Sequence, residues 1–186
     1  MDKLDLNGEH ISIGNEVFVK YLEEADIQKR ISELAEQINN DYRGKLPIFI
    51  GILNGSFIFM ADLIKNVNLS CEIDFFKLSS YGDSKISSGK VKLLKELNAD
   101  IMDRHLIIVE DIVDTGLSIK YIEELMAEHK PASVKIATLL LKPNSLKYNL
   151  KIDYIGFEIP DKFVIGYGLD YGQKYRNLRS IYALSE

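Results

Sequence analysis

The sequence predicts an α/β domain, a mostly parallel central sheet flanked by helices, with a small hood formed largely by the C-terminal segment. Three observations carry that reading. Short apolar runs rich in β-branched residues alternate with segments whose apolar residues recur at helical spacing, the pattern of strands joined by crossover helices. One such run, "LPIFIGIL" at 46–53, breaks at Asn-Gly-Ser and passes directly into helical period. The tail from residue 153 onward alternates short apolar runs with turns and shows no helical period, which suits β-structure laid over the edge of the sheet.

The elements follow in order. Residues 23–40 place Ile27, Ile31, Leu34, Ala35 and Ile38 on one face and acids early, predicting an amphipathic helix. The run 46–53 suits a strand covered on both faces, and the helix after it has Ser56 as its expected N-cap. "CEIDFFKL" at 71–78 and "HLIIV" at 105–109 read as strands, and "SVKIATLLL" at 133–141 as another. Between the last two, "GLSIKYIEELMAEHK" reads as a helix closed before Pro131. Residues 79–89, "SSYGDSKISSG", form a loop long enough to serve as a lid.

With 186 residues, 46% of them hydrophobic, the chain is sized for one core, and the expected organisation is a single domain over 1–186. Its core covers about 20–150, and the C-terminal segment with the N-terminus supplies the hood. A net charge of −5 argues against a protein whose main work is holding nucleic acid, which needs clustered Lys and Arg, and leaves room only for a local basic patch. The single cysteine, Cys71, can form no internal disulfide, and the three histidines show no zinc-site spacing. The longest apolar run is far short of a membrane span. With no charged-then-apolar leader at the start, a cytoplasmic protein is expected.

The chemistry concentrates at one strand end. After "HLIIV" come Glu110, Asp111 and Asp114, three acids in five residues, then Thr115, Gly116, Leu117 and Ser118 opening a helix. Parallel sheets bind ligands beyond the carboxyl ends of their strands. There, Glu110 and Asp111 could coordinate a hard cation or accept hydrogen bonds from vicinal hydroxyls of a ribose. A Gly-containing turn at a helix start aims backbone N–H groups at an anion, and two hydroxyls add to the cradle. A sugar phosphate fits acids beside phosphate donors better than a bare anion does. The plainer reading makes Asp114 a helix cap and leaves the other two acids solvated. A Walker phosphate loop is excluded, since it needs Gly-Lys-Ser/Thr where this chain has Gly-Leu-Ser.

"VEDIVDTGLS" resembles the 5-phosphoribosyl 1-diphosphate motif of type I phosphoribosyltransferases. "GILNGSFIFMADLI", "LSSYGDSKISSGKV", "LLLKPNS" and "DYIGFEIPDKFVIGYGLDYGQKYRNL" narrow the resemblance to hypoxanthine-guanine phosphoribosyltransferases, and with the motif they cover most of residues 46–180. The resemblance implies a Mg²⁺-dependent transfer of 5-phosphoribosyl to N9 of hypoxanthine or guanine, giving IMP or GMP and pyrophosphate, by a homodimer or homotetramer. It implies that Glu110 and Asp111 hold the ribose hydroxyls, that Asp114 is the general acid/base at the purine's N7, and that Asp114 to Ser118 cradle the 5′-phosphate. It assigns Lys142 to the purine's O6, Phe163 to stacking, Val164 to the base edge through its backbone, and Asp170 to the metal near the base. Glu110 and Asp111 complete the metal set. Asn54, Gly55 and Arg176 fall to pyrophosphate, and Ser80 and Tyr81 to the lid. A lysine at 142 suits its part, because an ammonium donates to a carbonyl oxygen and cannot accept from adenine's amino group.

Three positions depart from common members of that family. Asn54 replaces a Lys, in a turn whose preceding peptide bond is typically cis; Lys77 replaces an Arg; Leu117 replaces a Lys, leaving the cradle to backbone and hydroxyls. Two other classes compete with the enzyme. One is a regulator that uses the same fold to bind a phosphoribosyl ligand and control RNA or DNA. The other is a phosphoacceptor receiver domain, whose acids would lie close to the N-terminus rather than past the midpoint.

Overall fold

A computed structural model describes residues 3–4, 8–80, 91–95 and 97–185. In chain order the elements begin with strands β1 (Lys3–Leu4), β2 (His10–Ile13) and β3 (Glu16–Leu22), helix α1 (Glu24–Asp41) and strand β4 (Ile48–Leu53). Helix α2 (Phe57–Asn66) leads to β5 (Glu72–Ser80), β6 (Val91–Lys95) and β7 (His105–Val113). Helix α3 (Leu117–Glu128), β8 (Ser133–Leu141), a short 3₁₀ turn (Pro143–Ser145), β9 (Tyr154–Glu158), β10 (Val164–Ile165) and β11 (Ile181–Leu184) complete the chain.

The main sheet has six strands in the order β6-β5-β4-β7-β8-β9, parallel throughout except for the edge pair β5/β6. Period-two alternation sorts its side chains. Ile48, Ile50, Ile52, Leu106 and Ile108 pack with Ile119, Ile122 and Met126 of α3. Phe49, Ile107 and Val109 pack on the opposite face with the five apolar residues of α1 and with Phe59, Met60 and Leu63 of α2. Each such fully buried side chain is worth about 1.5–3 kcal/mol, so the two apolar faces of β4 and β7 hold the three layers together. From β4 the chain runs outward to β5, and from β7 it runs the other way to β8. The order therefore reverses between β4 and β7, and a crevice opens beyond their carboxyl ends.

The hood is a five-stranded antiparallel sheet in the order β1-β2-β3-β11-β10. Three of its strands come from the N-terminal segment and two from the tail. β2 and β3 form a hairpin whose register, Ile13 opposite Glu16, leaves Gly14 and Asn15 as its two-residue turn. Gly14 has φ +61°, the conformation such a tight turn demands and glycine supplies without cost. Ile11, Phe18, Ile165 and Tyr182 form a core of its own beneath this sheet.

Two expectations are corrected. The tail does not belong wholly to the hood, because Tyr154–Glu158 pairs parallel with β8 and closes the main sheet. Asp153 steers it there: its N–H donates to the Ile136 carbonyl at 3.0 Å and its carboxylate accepts the Ile136 N–H at 3.0 Å. Ser56 does not cap α2 through its side chain; its hydroxyl turns back and donates to the Ile52 carbonyl at 2.7 Å. Tyr81 and the rest of the expected lid to residue 89 lie outside the described residues, and Ser80 ends β5.

Candidate functional site

Glu110 and Asp111 are consecutive on β7, so their carboxylates leave opposite faces of the sheet. Glu110 points toward the start of α3, into a cavity of about 90 Å³ that is also lined by Asp114, Thr115, Gly116, Leu117 and Ser118. It is buried, and its Oε2 meets no hydrogen-bond partner among the described residues. Burial, and then the negative charge of Asp111, push its carboxyl well above the usual range. A buried acceptor left without a donor is costly, and nothing among the described residues offsets that cost.

The cradle is shaped by its neighbours. Gly116, at φ +80°, precedes the first turn of α3, and a Cβ there would run into the Leu150 side chain, which leaves the position to glycine. The first-turn N–H groups of a helix have no partner within it; that of Leu117 makes a long 3.4 Å contact to the Thr115 hydroxyl. Gly116, not Asp114, stands at the N-cap position of α3, and the Asp114 carboxylate pairs instead with the Lys142 ammonium. Two backbone bonds lace the cradle to the segment after β8: Lys142 N–H to the Val113 carbonyl at 2.9 Å and Lys147 N–H to the Thr115 carbonyl at 3.0 Å.

On the other side, Asp111, Asp114, Lys142, Phe163, Val164 and Asp170 line a second cavity of about 240 Å³. Lys142 is 7% exposed, and its Nζ lies 3.2 Å from Asp114 Oδ2 and 3.2 Å from Asp161 Oδ1. Phe163 is 47% exposed, its ring tilted against Phe18 and edge-on to Tyr171 with centroids 6.1 and 5.8 Å apart. Part of the ring is therefore left open where it lines the cavity. Val164 is fixed by β10, paired with Ala183 of β11.

The third wall brings the β4 loop against the tail. The Leu53–Asn54 peptide bond is cis, and Asn54 is exposed on the turn. Gly55 and Gly168 sit where side chains would not fit: a Cβ on Gly55 would overlap the Asp111 carboxylate, and one on Gly168 would overlap the Gly55 carbonyl. Burial pushes the Asp111 carboxyl up to about 6; its own and the Ile112 backbone N–H groups and Arg176 pull it down, and Asp170 pushes it up. Arg176 pairs with Asp170 at 2.7 Å and donates to the Gly168 carbonyl at 2.8 Å. Tyr167, buried at φ +51°, donates its hydroxyl to Asp62 at 2.6 Å and accepts from Gln28 at 3.1 Å, tying this tail to α2 and α1.

The structure thus gathers Asp111, Asp114, Lys142, Phe163, Val164 and Asp170 around one space and Glu110 with the 114–118 cradle around another, with Asp114 lining both. It does not gather Glu110, Asp111 and Asp170 as a metal set. Strand alternation separates the first two, and among the described residues no group of three or more His, Cys, Asp or Glu is placed to hold an ion. Asp111 and Asp170 remain on one cavity, and one or two carboxylates beside substrate phosphates suffice for Mg²⁺. Sequence reasoning passed over Asp161 and Tyr167, whose partners lie far off in the chain. A separate hollow beside α3, near Leu97, Met126 and His129, contains none of these groups.

The comparisons agree with this geometry. The family model described as the phosphoribosyl transferase domain matches residues 20–172. The hypoxanthine-guanine phosphoribosyltransferase of Bacillus subtilis (strain 168) is 47% identical over 157 residues, which are 84% of this chain and 87% of that protein. Among solved structures, a hypoxanthine-guanine phosphoribosyltransferase from Bacillus anthracis superposes with a TM-score of 0.85 at 42% identity, covering 89% of this chain and 98% of that one. A hypoxanthine phosphoribosyltransferase from Staphylococcus aureus gives 0.85 at 44% identity, covering 89% and 90%. The buried Glu110 carboxyl, the glycine-opened start of α3 and the ammonium-walled cavity are therefore those of a chain that belongs to the phosphoribosyl transferase domain family, among its hypoxanthine-guanine phosphoribosyltransferases.

Proposed function

We propose that this chain transfers 5-phosphoribosyl from 5-phosphoribosyl 1-diphosphate to N9 of hypoxanthine, guanine or both, releasing pyrophosphate and forming IMP or GMP, with the residue roles that follow. The observation that carries the reading is that Asp114 lines both cavities, the phosphate cradle on one side and the Lys142 and Phe163 space on the other. A ribosyl group bridging the two spaces would place its anomeric carbon beside that carboxylate.

The 5′-phosphate accepts from the N–H groups opening α3 and from the hydroxyls of Thr115 and Ser118. Glu110 accepts from the ribose hydroxyls, which offsets the cost of its buried, unpartnered oxygen. The purine stacks on Phe163, sets its edge against the Val164 backbone and accepts at O6 from Lys142. As the bond from the anomeric carbon to the diphosphate oxygen breaks and the bond to N9 forms, the base gives up a proton, and Asp114 at N7 takes or shares it. A positioned carboxylate contributes about 10²- to 10⁴-fold in such a step. Arg176 and the turn at Asn54 and Gly55 receive the departing pyrophosphate, the planar guanidinium pairing phosphate oxygens. Mg²⁺, held by Asp111 and Asp170 together with the diphosphate, would supply the positive charge that the leaving group needs. The Ser80 and Tyr81 lid excludes water from the cationic sugar.

We further expect a cytoplasmic homodimer or homotetramer, with the exposed Phe57 of α2, 44% accessible, at a subunit contact. No helix among the described residues is long and apolar enough to cross a membrane. The decisive experiment offers hypoxanthine, guanine, xanthine and adenine separately with 5-phosphoribosyl 1-diphosphate and Mg²⁺ and follows pyrophosphate. Turnover with a 6-oxopurine and none with adenine supports the reading. Donor or nucleotide binding without turnover of any base would turn it toward the ligand-binding regulator.

A further inference from the structure

We infer that Asp161 is a positioning residue that shares the charge of the Lys142 ammonium with Asp114, so that Asp114 can turn to a 6-oxopurine without leaving the ammonium unpaired. The inference rests on the reading of Lys142 as the group that meets the base. The Lys142 side chain is 8% exposed, whereas Asp161 is 74% exposed and Asp114 48%. The ammonium is thus buried between two carboxylates that keep contact with water, each 3.2 Å away.

An ammonium has three donors. With one directed to Asp114 and one to Asp161, the third is left for the cavity that Lys142 and Asp114 line together with Phe163 and Val164. The placement of Asp161 is built by the backbone. Ile159 N–H donates to the Leu141 carbonyl at 2.8 Å, laying the segment after β9 against the residue that precedes Lys142. Lys162 N–H then donates to the Pro160 carbonyl at 2.8 Å, closing a tight turn with Asp161 at its tip and Phe163 directly after it. One segment therefore carries both the stacking ring and the second counter-ion of the base reader.

That second counter-ion resolves a conflict in the site. A buried ammonium with one carboxylate beside it pairs fully with that carboxylate. If the partner were Asp114 alone, the two groups needed at O6 and N7 would satisfy each other, and each base would have to break the pair on entry. Asp161 takes no part at the reacting atoms. It shares the charge of Lys142, so that Asp114 can turn to the base while the ammonium stays neutralised. An exposed ion pair ordinarily contributes little, but here one end is buried and lies between two functional groups.

The test compares wild type, Asp161→Asn, Asp161→Glu, Lys142→Met and the Lys142→Met/Asp161→Asn double variant. Hypoxanthine is varied at saturating 5-phosphoribosyl 1-diphosphate with Mg²⁺, and donor affinity is measured separately by calorimetry. Asp161→Asn should raise KM for hypoxanthine about tenfold, the scale of one charge-assisted hydrogen bond, with a smaller fall in kcat and unchanged donor affinity. Asp161→Glu should restore most of the loss, and Asp161→Asn should have no further effect once Lys142 is Met. A KM for Asp161→Asn within about twofold of wild type, an equal loss with and without Lys142, or a matching loss of donor affinity would each overturn the inference. Wild-type protein that turns over hypoxanthine while Asp161→Asn is unaltered overturns this inference alone. Wild-type protein that turns over no 6-oxopurine overturns the underlying reading as well.

Discussion

Replacing Asp111 with Asn should stabilise the ligand-free protein at neutral and alkaline pH. The carboxyl is buried beside Gly55 and moves from an ordinary 3.8 to about 6 in the folded chain. A folded value above the unfolded one means that the folded state prefers the protonated acid. The stability it lends is complete below pH 3.8 and is lost as pH rises to about 6. Each pH step in that window costs about 1.4 kcal/mol, so the full loss is about 3 kcal/mol. Asn keeps a carbonyl oxygen that accepts the Ile112 N–H and removes the charge, so it should recover much of that amount. For a chain of this size the gain is about 6–12 °C in Tm at pH 8. Urea unfolding of both proteins in EDTA, at pH 8 and near pH 4, measures it. The advantage should be present at pH 8 and shrink toward zero near pH 4. A variant that is no more stable at pH 8, or whose gain does not change with pH, would refute the argument, since repacking and not charge would then be responsible.

Other consequences follow from neighbouring groups. Asp114→Asn should lower kcat by about 10²- to 10⁴-fold while calorimetric donor affinity stays close to wild type; equal loss of both would sink the acid/base role. Lys142→Ala should raise KM for hypoxanthine and erode discrimination against adenine by about tenfold or more, and unchanged discrimination in paired assays would count against the O6 contact. Tyr167→Phe removes a hydroxyl bonded to Asp62 at 2.6 Å and to Gln28 at 3.1 Å, and should cost about 1–3 kcal/mol of stability. Because Tyr167 precedes the Gly168 that seats Arg176, the same variant should weaken pyrophosphate inhibition more than it raises KM for hypoxanthine; the reverse order would place the tail's role at the base.

What the sequence could reveal depended on how far apart the interacting residues lie. β4, β7 and β8 were legible because each is a continuous apolar run that must be covered on both faces, and α1 because its five apolar residues share a 3.6-residue period. The acids at the end of β7 and just beyond it were legible as a site because burial without partners would otherwise be costly. Their separation onto two faces was also readable, since strand alternation forbids consecutive carboxylates from serving one ion from the same side. The resemblance grouped them by role, and the geometry divides them. The hood was harder to read, because β3 meets β11 through pairs such as Leu22 with Ile181, whose contact depends on everything folded between them. The hairpin turn at Gly14 and Asn15 was in plain sight, yet alternation alone does not say which sheet a hairpin will join.

Asp161 shows the same limit at the scale of one side chain. In the sequence it is a surface acid in a Pro-Asp-Lys turn, 19 residues from Lys142, and solvation is the ordinary fate of such a residue. It becomes a partner of Lys142 only because β9 joins the main sheet beside β8 and the Ile159 to Leu141 bond carries the chain past the strand end. The strand that was expected in the hood is thus the one that delivers the second carboxylate to Lys142. A tail peeled away from β8 would keep Phe163 and Val164 in their hairpin with β11 but would leave Lys142 facing Asp114 alone. Placement of β9 and the pairing of Lys142 with a second carboxylate are therefore consequences of the same parallel pairing.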